Sequence, residues 1–158
     1  MFVITSNPID VPAVTDAVRD NRAGAVVLFL GTVREITGDI ETTSLTYEAY
    51  EQMAVASLNE IAQRATERWS LVKTAVVHRI GPLDPGDTAV AVAVSSAHRA
   101  AAFEAGQWMM DTIKQHTPVW KKECYANGTT EWVHPQAEQQ ASCGVASPTS
   151  ATTSKENS

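Results

Sequence analysis

The segment Ser95-Ser96-Ala97-His98-Arg99 puts two basic side chains where a helix is about to begin. Ser96 is a natural N-cap, which would place His98 and Arg99 in the first turn. A helix N-terminus already carries about half a positive charge, so further cations there cost stability. The same arrangement suits an anion such as phosphate, because backbone N–H groups and both side chains converge on it. The ordinary alternative is an Arg99 that points to solvent or pairs with a carboxylate. A second candidate is Lys114 with Lys121. Wound at about 100° per residue, the helix buries Ala102, Gly106, Met109, Met110 and Ile113 and leaves Lys114 at the flank. Pro118 ends that helix, and in the following strand Lys121 shares a face with Val119 and Glu123. The two lysines could flank one pocket, each lowering the other's pKa and freeing an amine for proton transfer or attack. Lysines at helix ends and strand edges are also ordinary solubilising residues, and taken alone the pair favours that reading. A third candidate is Arg34 in Gly31-Thr32-Val33-Arg34, just past an apolar strand, where functional groups are common; a solvated arginine fits equally well. His78 reads as a partly buried structural histidine. No phosphate-binding glycine loop, zinc-protease motif or serine-hydrolase elbow is present, so neither a metal nor a cofactor is expected.

The elements that must position these groups follow from periodicity and punctuation. Phe2 to Thr5 reads as a strand, and Asp10 with Pro12 opens a helix from about Val11 to Asn21. Ala25 to Leu30 is a continuous apolar run and reads as a central strand buried on both faces. Gly31 to Glu41 reads as a mobile loop. Leu45 to Tyr50 alternates as a strand. Glu51 to Trp69 is helical, with Met53, Ala56, Leu58, Ile61, Ala65 and Trp69 inward. Val72–Ile80 and Thr88–Ser95 form a hairpin around Pro85-Gly86, which fits a type II turn. A helix from Ala97 to about His116 leads to strands Val119–Tyr125 and Thr130–Val133, joined at Asn127-Gly128. The order β-α-β-β-α-β-β-α-β-β, rich in hairpins, predicts an α+β domain with a mixed or mainly antiparallel sheet.

The 158 residues suit one compact domain over 1–135. Residues 136–158 are Ser/Thr/Ala/Gln-rich with almost no large apolar side chain, and read as a disordered tail. The net charge of −6 argues against a general nucleic-acid binder. Cys124 and Cys143 have no zinc or redox spacing and read as free thiols. No apolar run reaches membrane-spanning length and no leader pattern opens the chain, so a cytoplasmic protein is expected.

The strings GAVVLFLGTVR (24–34), LTYEAY (45–50), VVHRIGPLDPGD (76–87), SSAHRAAAFEAGQWMMDTIK (95–114), PVWKKE (118–123) and EWV (131–133) occur in one order and spacing up to about Val133. In these the chain resembles the molybdopterin synthase catalytic (large) subunit family. The resemblance implies an α/β hammerhead-type fold with three helices. It implies a homodimer of large subunits with a small ubiquitin-like sulfur carrier at each end, a heterotetramer. The carrier's C-terminal Gly-Gly thiocarboxylate would supply sulfur to cyclic pyranopterin monophosphate (precursor Z), giving molybdopterin. Lys121 matches the main catalytic lysine and Lys114 its assistant. Arg34, His98 and Arg99 match anion-binding residues, and Phe29 an apolar residue near the pocket. The chain departs from some family members in lacking an arginine after Trp132-Val133, which leaves open what a neighbouring subunit contributes there. The competing expectation is a non-catalytic module binding a phosphorylated ligand or a ubiquitin-like tail, which could dispense with Lys121. An unrelated lysine-dependent acyl-transfer enzyme has only the lysines in its favour.

Overall fold

The computed structural model describes residues 1–37, 40–126 and 128–133. The expected tail, Asn127, Cys143 and the segment after Val133 lie outside these.

Two sheets share the chain. The first has the order β1(Phe2–Thr5), β5(Lys73–Arg79), β7(Thr88–Ser96), β2(Ala25–Thr32). Only β1 and β5 run parallel; β5–β7 and β7–β2 are antiparallel. The second runs β3(Ile36–Thr37), β4(Ile40–Ala49), β8(Val119–Tyr125), β9(Thr130–Val133), with β6(Gly81–Leu83) also paired to β4. Three helices complete the described residues: α1(Val11–Val18), α2(Glu51–Trp69) and α3(Arg99–His116). The fold is α+β, as the hairpin-rich order predicts.

α2 and α3 cover one face of the first sheet. Leu58, Ile61 and Ala65 of α2 and Ala102, Met109 and Ile113 of α3 pack there against Val76, Val92 and Val94. On the other face Val14 and Val18 of α1 meet Ala75, Ala91 and Ala93, whose small side chains let the short helix approach closely. A third cluster of Val33, Leu45, Leu83 and Ala89, with Tyr47 against it, fills the junction between the sheets.

β6 makes that junction. Gly81, at φ 86°, swings the chain out of the β5–β7 hairpin so that Gly81–Leu83 pairs with Tyr47–Leu45. The chain returns through a turn in which Asp87 N–H donates to the Asp84 carbonyl at 3.0 Å and Gly86 sits at φ 93°, the geometry expected of a type II turn.

Four expectations are corrected. β2 is not central: it lies at the edge of its sheet, and Val26, Phe29 and Leu30 are 41%, 41% and 38% exposed. An apolar run records only that something covers a strand, not whether the cover belongs to the same chain. Residues 31–41 are not simply a loop, since β2 extends to Thr32, β3 forms, and β4 begins at Ile40; the β-branched Ile and Thr residues outweigh the charges between them. α1 stops at Val18 because Arg19 is already extended, at ψ 137°. In α2 the inward set is Ala54, Leu58, Ile61, Ala62 and Ala65, while Met53 is exposed. No helix of the described residues is long and apolar enough to cross a membrane.

Candidate functional site

Lys121 lies on the inward face of β8. Opposite it on β4 is Tyr47, and Leu45 faces Glu123 in the same register. The alternation seen in the sequence holds: Val119 and Glu123 are buried on that face. Lys121 Nζ sits 2.8 Å from Glu123 Oε1, with the two side chains 13% and 5% exposed. The opposite charge beside Lys121 comes from the Glu123 carboxylate. The other oxygen of Glu123, Oε2, is buried without a well-formed hydrogen bond among the described residues. One turn of the strand further, the Tyr125 phenol is pushed up to about 12, first by burial and then by Glu123 and Glu131.

Tyr47 links this strand pair to the first sheet. Its ring meets the His78 ring edge-on, centroids 5.0 Å apart. His78 is buried, and its Nδ1 lies 2.9 Å from the Arg79 carbonyl. A carbonyl only accepts, so Nδ1 carries the proton. Burial pushes the imidazole down to about 4 against that hydrogen bond, so the ring is neutral.

Arg34 reaches the same end of the molecule. Gly31 pairs with Val90 on β7, and Val90 with His78 on β5, so the exit of β2 is two strands from His78, about 10 Å. Val33 packs in the junction cluster with Leu45 and Tyr47, and Arg34 follows it with an exposed side chain. Phe29 leans the same way: a Cβ built on Gly31 would lie 3.4 Å from its ring. α3 turns back from β7 over β7 and β2, with Gly106 against Val27 and Val94. Its last turn, carrying Lys114 and His116, therefore returns to the Arg34 end.

His98 and Arg99 stand elsewhere. β7 runs to Ser96, which pairs with Ala25 at the start of β2. Ser96 is the buried last residue of the strand rather than the N-cap, and its Oγ accepts only a 3.4 Å bond from His98 N–H. His98 occupies the cap position, extended at φ −131°, with no capping side-chain bond, and Arg99 is the first helical residue. The first turn of α3 contains no acidic residue. Among the described residues no carboxylate comes within ion-pair distance of Arg34, His98, Arg99 or Lys114, so pairing with a carboxylate does not explain them. Within one chain the two groups of cations occupy opposite ends of β2, on the order of 20 Å apart at ~3.3 Å per residue.

The description "MoaE protein" belongs to the family that matches residues 4–116 of this chain. The chain belongs to the MoaE family. It is 45% identical over 140 residues to the molybdopterin synthase catalytic subunit of Bacillus subtilis, covering 89% of this chain and 88% of that protein. The crystal structure of molybdopterin synthase from Staphylococcus aureus superposes with a TM-score of 0.80 at 40% identity, over 84% of this chain and 96% of that one. The complex of subunits 1 and 2 of the molybdopterin-converting factor from Helicobacter pylori shares the fold, with a TM-score of 0.66 at 19% identity, covering 84% and 88%.

Set in the MoaE family, the residues singled out by the sequence fall into two groups, and the structure adds Glu123 and Tyr47 beside Lys121, with His78 behind Tyr47. Glu123 was signalled by its place two residues along an alternating strand. Tyr47 and His78 carried no local signal, because only the packing of the two sheets brings them together.

Proposed function

We propose that this chain is the large, catalytic subunit of a molybdopterin synthase, and that residues 1–135 form its catalytic domain. It transfers sulfur from the C-terminal thiocarboxylate of a small ubiquitin-like carrier to cyclic pyranopterin monophosphate, in the cytoplasm, with no cofactor. Membership of the MoaE family and the name "catalytic subunit" borne by its relatives support the reaction and a companion subunit. The observation that carries the reading for this chain is Lys121: an amine on the inward face of a sheet, ion-paired, at the end where Arg34 leaves β2. A cation of this kind can offset the charge of an arriving thiocarboxylate and hold or pass a proton as the acyl–sulfur bond breaks. Lys114 assists it, Arg34 with His98 and Arg99 bind the phosphate, and Phe29 packs against the pterin. The sulfur arrives on the carrier, so Cys124 and Cys143 need not act as nucleophiles.

A second copy of the chain would bring the two cation groups together. β2 is an edge strand with exposed apolar side chains on both faces, which a monomer has reason to cover. A two-fold axis near the middle of β2 would pair the two edges antiparallel. The partner's β2 start, with its His98 and Arg99, would then lie beside the end of this chain's β2 from which Arg34 leaves, with Phe29 between that end and the axis. Each active site would be shared, and the dimer with two carriers would be the heterotetramer.

Mixing the protein with thiocarboxylated carrier and the pterin substrate should yield a product heavier by two sulfur atoms, read by mass spectrometry. Lys121→Ala should lower turnover by roughly a hundredfold or more. It also strands the buried Glu123 carboxylate, at a cost of about 3 kcal/mol, so the decisive variant is Lys121→Ala/Glu123→Gln, which should recover stability without activity. Full turnover by that double variant would remove the role assigned to Lys121.

A further inference from the structure

We infer that Arg79 and Asp87 are positioning residues for Arg34, an inference that rests on the phosphate-binding role proposed above. Neither belongs to the groups assigned to substrate. Arg79 closes β5 and Asp87 precedes β7; Arg79 Nη1 lies 3.1 Å from Asp87 Oδ2. The same oxygen accepts the Asp84 N–H at 3.1 Å, and Arg79 Nη2 donates to the Pro82 carbonyl at 3.4 Å. One ion pair thus ties both ends of the 82–87 segment together.

What that segment grips is the residue before Arg34. Val33 N–H donates to the Asp87 carbonyl at 2.9 Å, and Gly86 N–H donates to the Val33 carbonyl at 2.9 Å. Both backbone groups of Val33 are therefore held by consecutive turn residues, past the register shift between Gly31 and Thr32 where β2 leaves its regular ladder. The Val33 side chain is buried in the junction cluster. Arg34 itself is exposed, and the point at which its stem leaves the backbone is set by Val33 and, through Val33, by the turn. A long side chain with considerable rotamer freedom binds an anion well only if its stem starts in the right place. The pair is only partly shielded, Arg79 being 16% and Asp87 38% exposed, and Arg79 Nε is buried without a hydrogen-bond partner among the described residues, so the pair is better explained by the geometry it fixes than by the stability it adds.

The test is a double-mutant cycle in the assembled synthase, with thiocarboxylated carrier and cyclic pyranopterin monophosphate. Loss of a charge-assisted hydrogen bond predicts that Arg34→Ala raises KM about tenfold or more. Asp87→Asn, which keeps the shape and removes the charge, should raise KM roughly three- to tenfold with kcat within about twofold. Combined with Arg34→Ala it should add nothing. Arg79→Lys, which keeps the charge and loses the fork, should act in the same direction and replaces Asp87→Asn if that variant melts below the assay temperature. If Arg34→Ala raises KM while Asp87→Asn and Arg79→Lys leave it unchanged, lower kcat alone, or multiply their effect in the double variant, the positioning role is wrong and the phosphate role stands. An unchanged KM in Arg34→Ala removes both.

Discussion

His78 couples the stability of the sheet junction to pH through a single proton. The ring is neutral when folded, with its pKa pushed down to about 4 by burial, whereas in the unfolded chain it titrates near 6.5. Above about 6.5 neither state binds the proton and the group adds no pH dependence. As pH falls from 6.5 toward 4 the unfolded state takes up a proton that the folded state refuses, so stability falls, by about 3 kcal/mol at most. Urea unfolding at several pH values should show this slope, and His78→Gln should flatten it relative to the native chain; an equal slope in both would mean the ring is solvated. At this scale the sequence was readable by residue type. The basic residues of the candidate site stand out by type, but spacing alone left Lys114, Lys121 and Arg34 readable as solvated surface and only the family resemblance joined them, while the alternation of β8 set Glu123 beside Lys121. Which face of β8 is inward, and that Tyr47 stands between Lys121 and His78, depend on strand pairings between distant segments.

Elements were legible where one chain supplies both the pattern and its cover. The long helices kept their period because α2 and α3 bury their apolar faces on the same sheet, and the Pro85-Gly86 turn followed from φ requirements alone. The apolar run of β2 does not distinguish a central strand from an edge strand, and Ser96 carries the sequence signature of a cap because the strand's last residue and the helix's first are separated by only two residues. Two glycines show how closely α3 is fitted. A Cβ on Gly106 would meet Val27 and Val94 at 3.6 and 3.7 Å, ordinary contact, so Gly106→Ala should raise the unfolding free energy by up to about 1 kcal/mol through helix propensity. A Cβ on Gly24 would lie 2.6 Å from the Ala97 carbonyl, so Gly24→Ala must push the β7–α3 connection aside and should cost about 1–3 kcal/mol. Denaturant midpoints of the two variants should move in opposite directions; a shift the same way would show that α3 packs differently on β2.

For the whole molecule, the arrangement of charge along β2 decides how many chains make a site. Arg34, Lys114 and Lys121 belong to one end and His98 with Arg99 to the other, separated by the length of the strand. If one chain formed a complete site, the cation it needs for phosphate would have to cross that distance, which a side chain cannot do. If two chains pair along their β2 edges, each site draws Lys121 from one chain and Arg99 from the other. Lys121→Ala and Arg99→Ala homodimers should then both be inactive, for different reasons. Dissociated, mixed and reassembled, they form heterodimers in which one site carries both lesions and the other carries none. Random pairing makes half the dimers heterodimers with one intact site each, so activity should return to about a quarter of the native level. Recovery requires subunit exchange, so it should grow with the time and denaturant used to dissociate the dimers, and should fail if Leu30→Lys on both chains blocks the edge from pairing. Mixing that restores nothing, under conditions where mass spectrometry shows the heterodimers, would mean that each site is built from one chain and that β2 is covered by something other than its own copy.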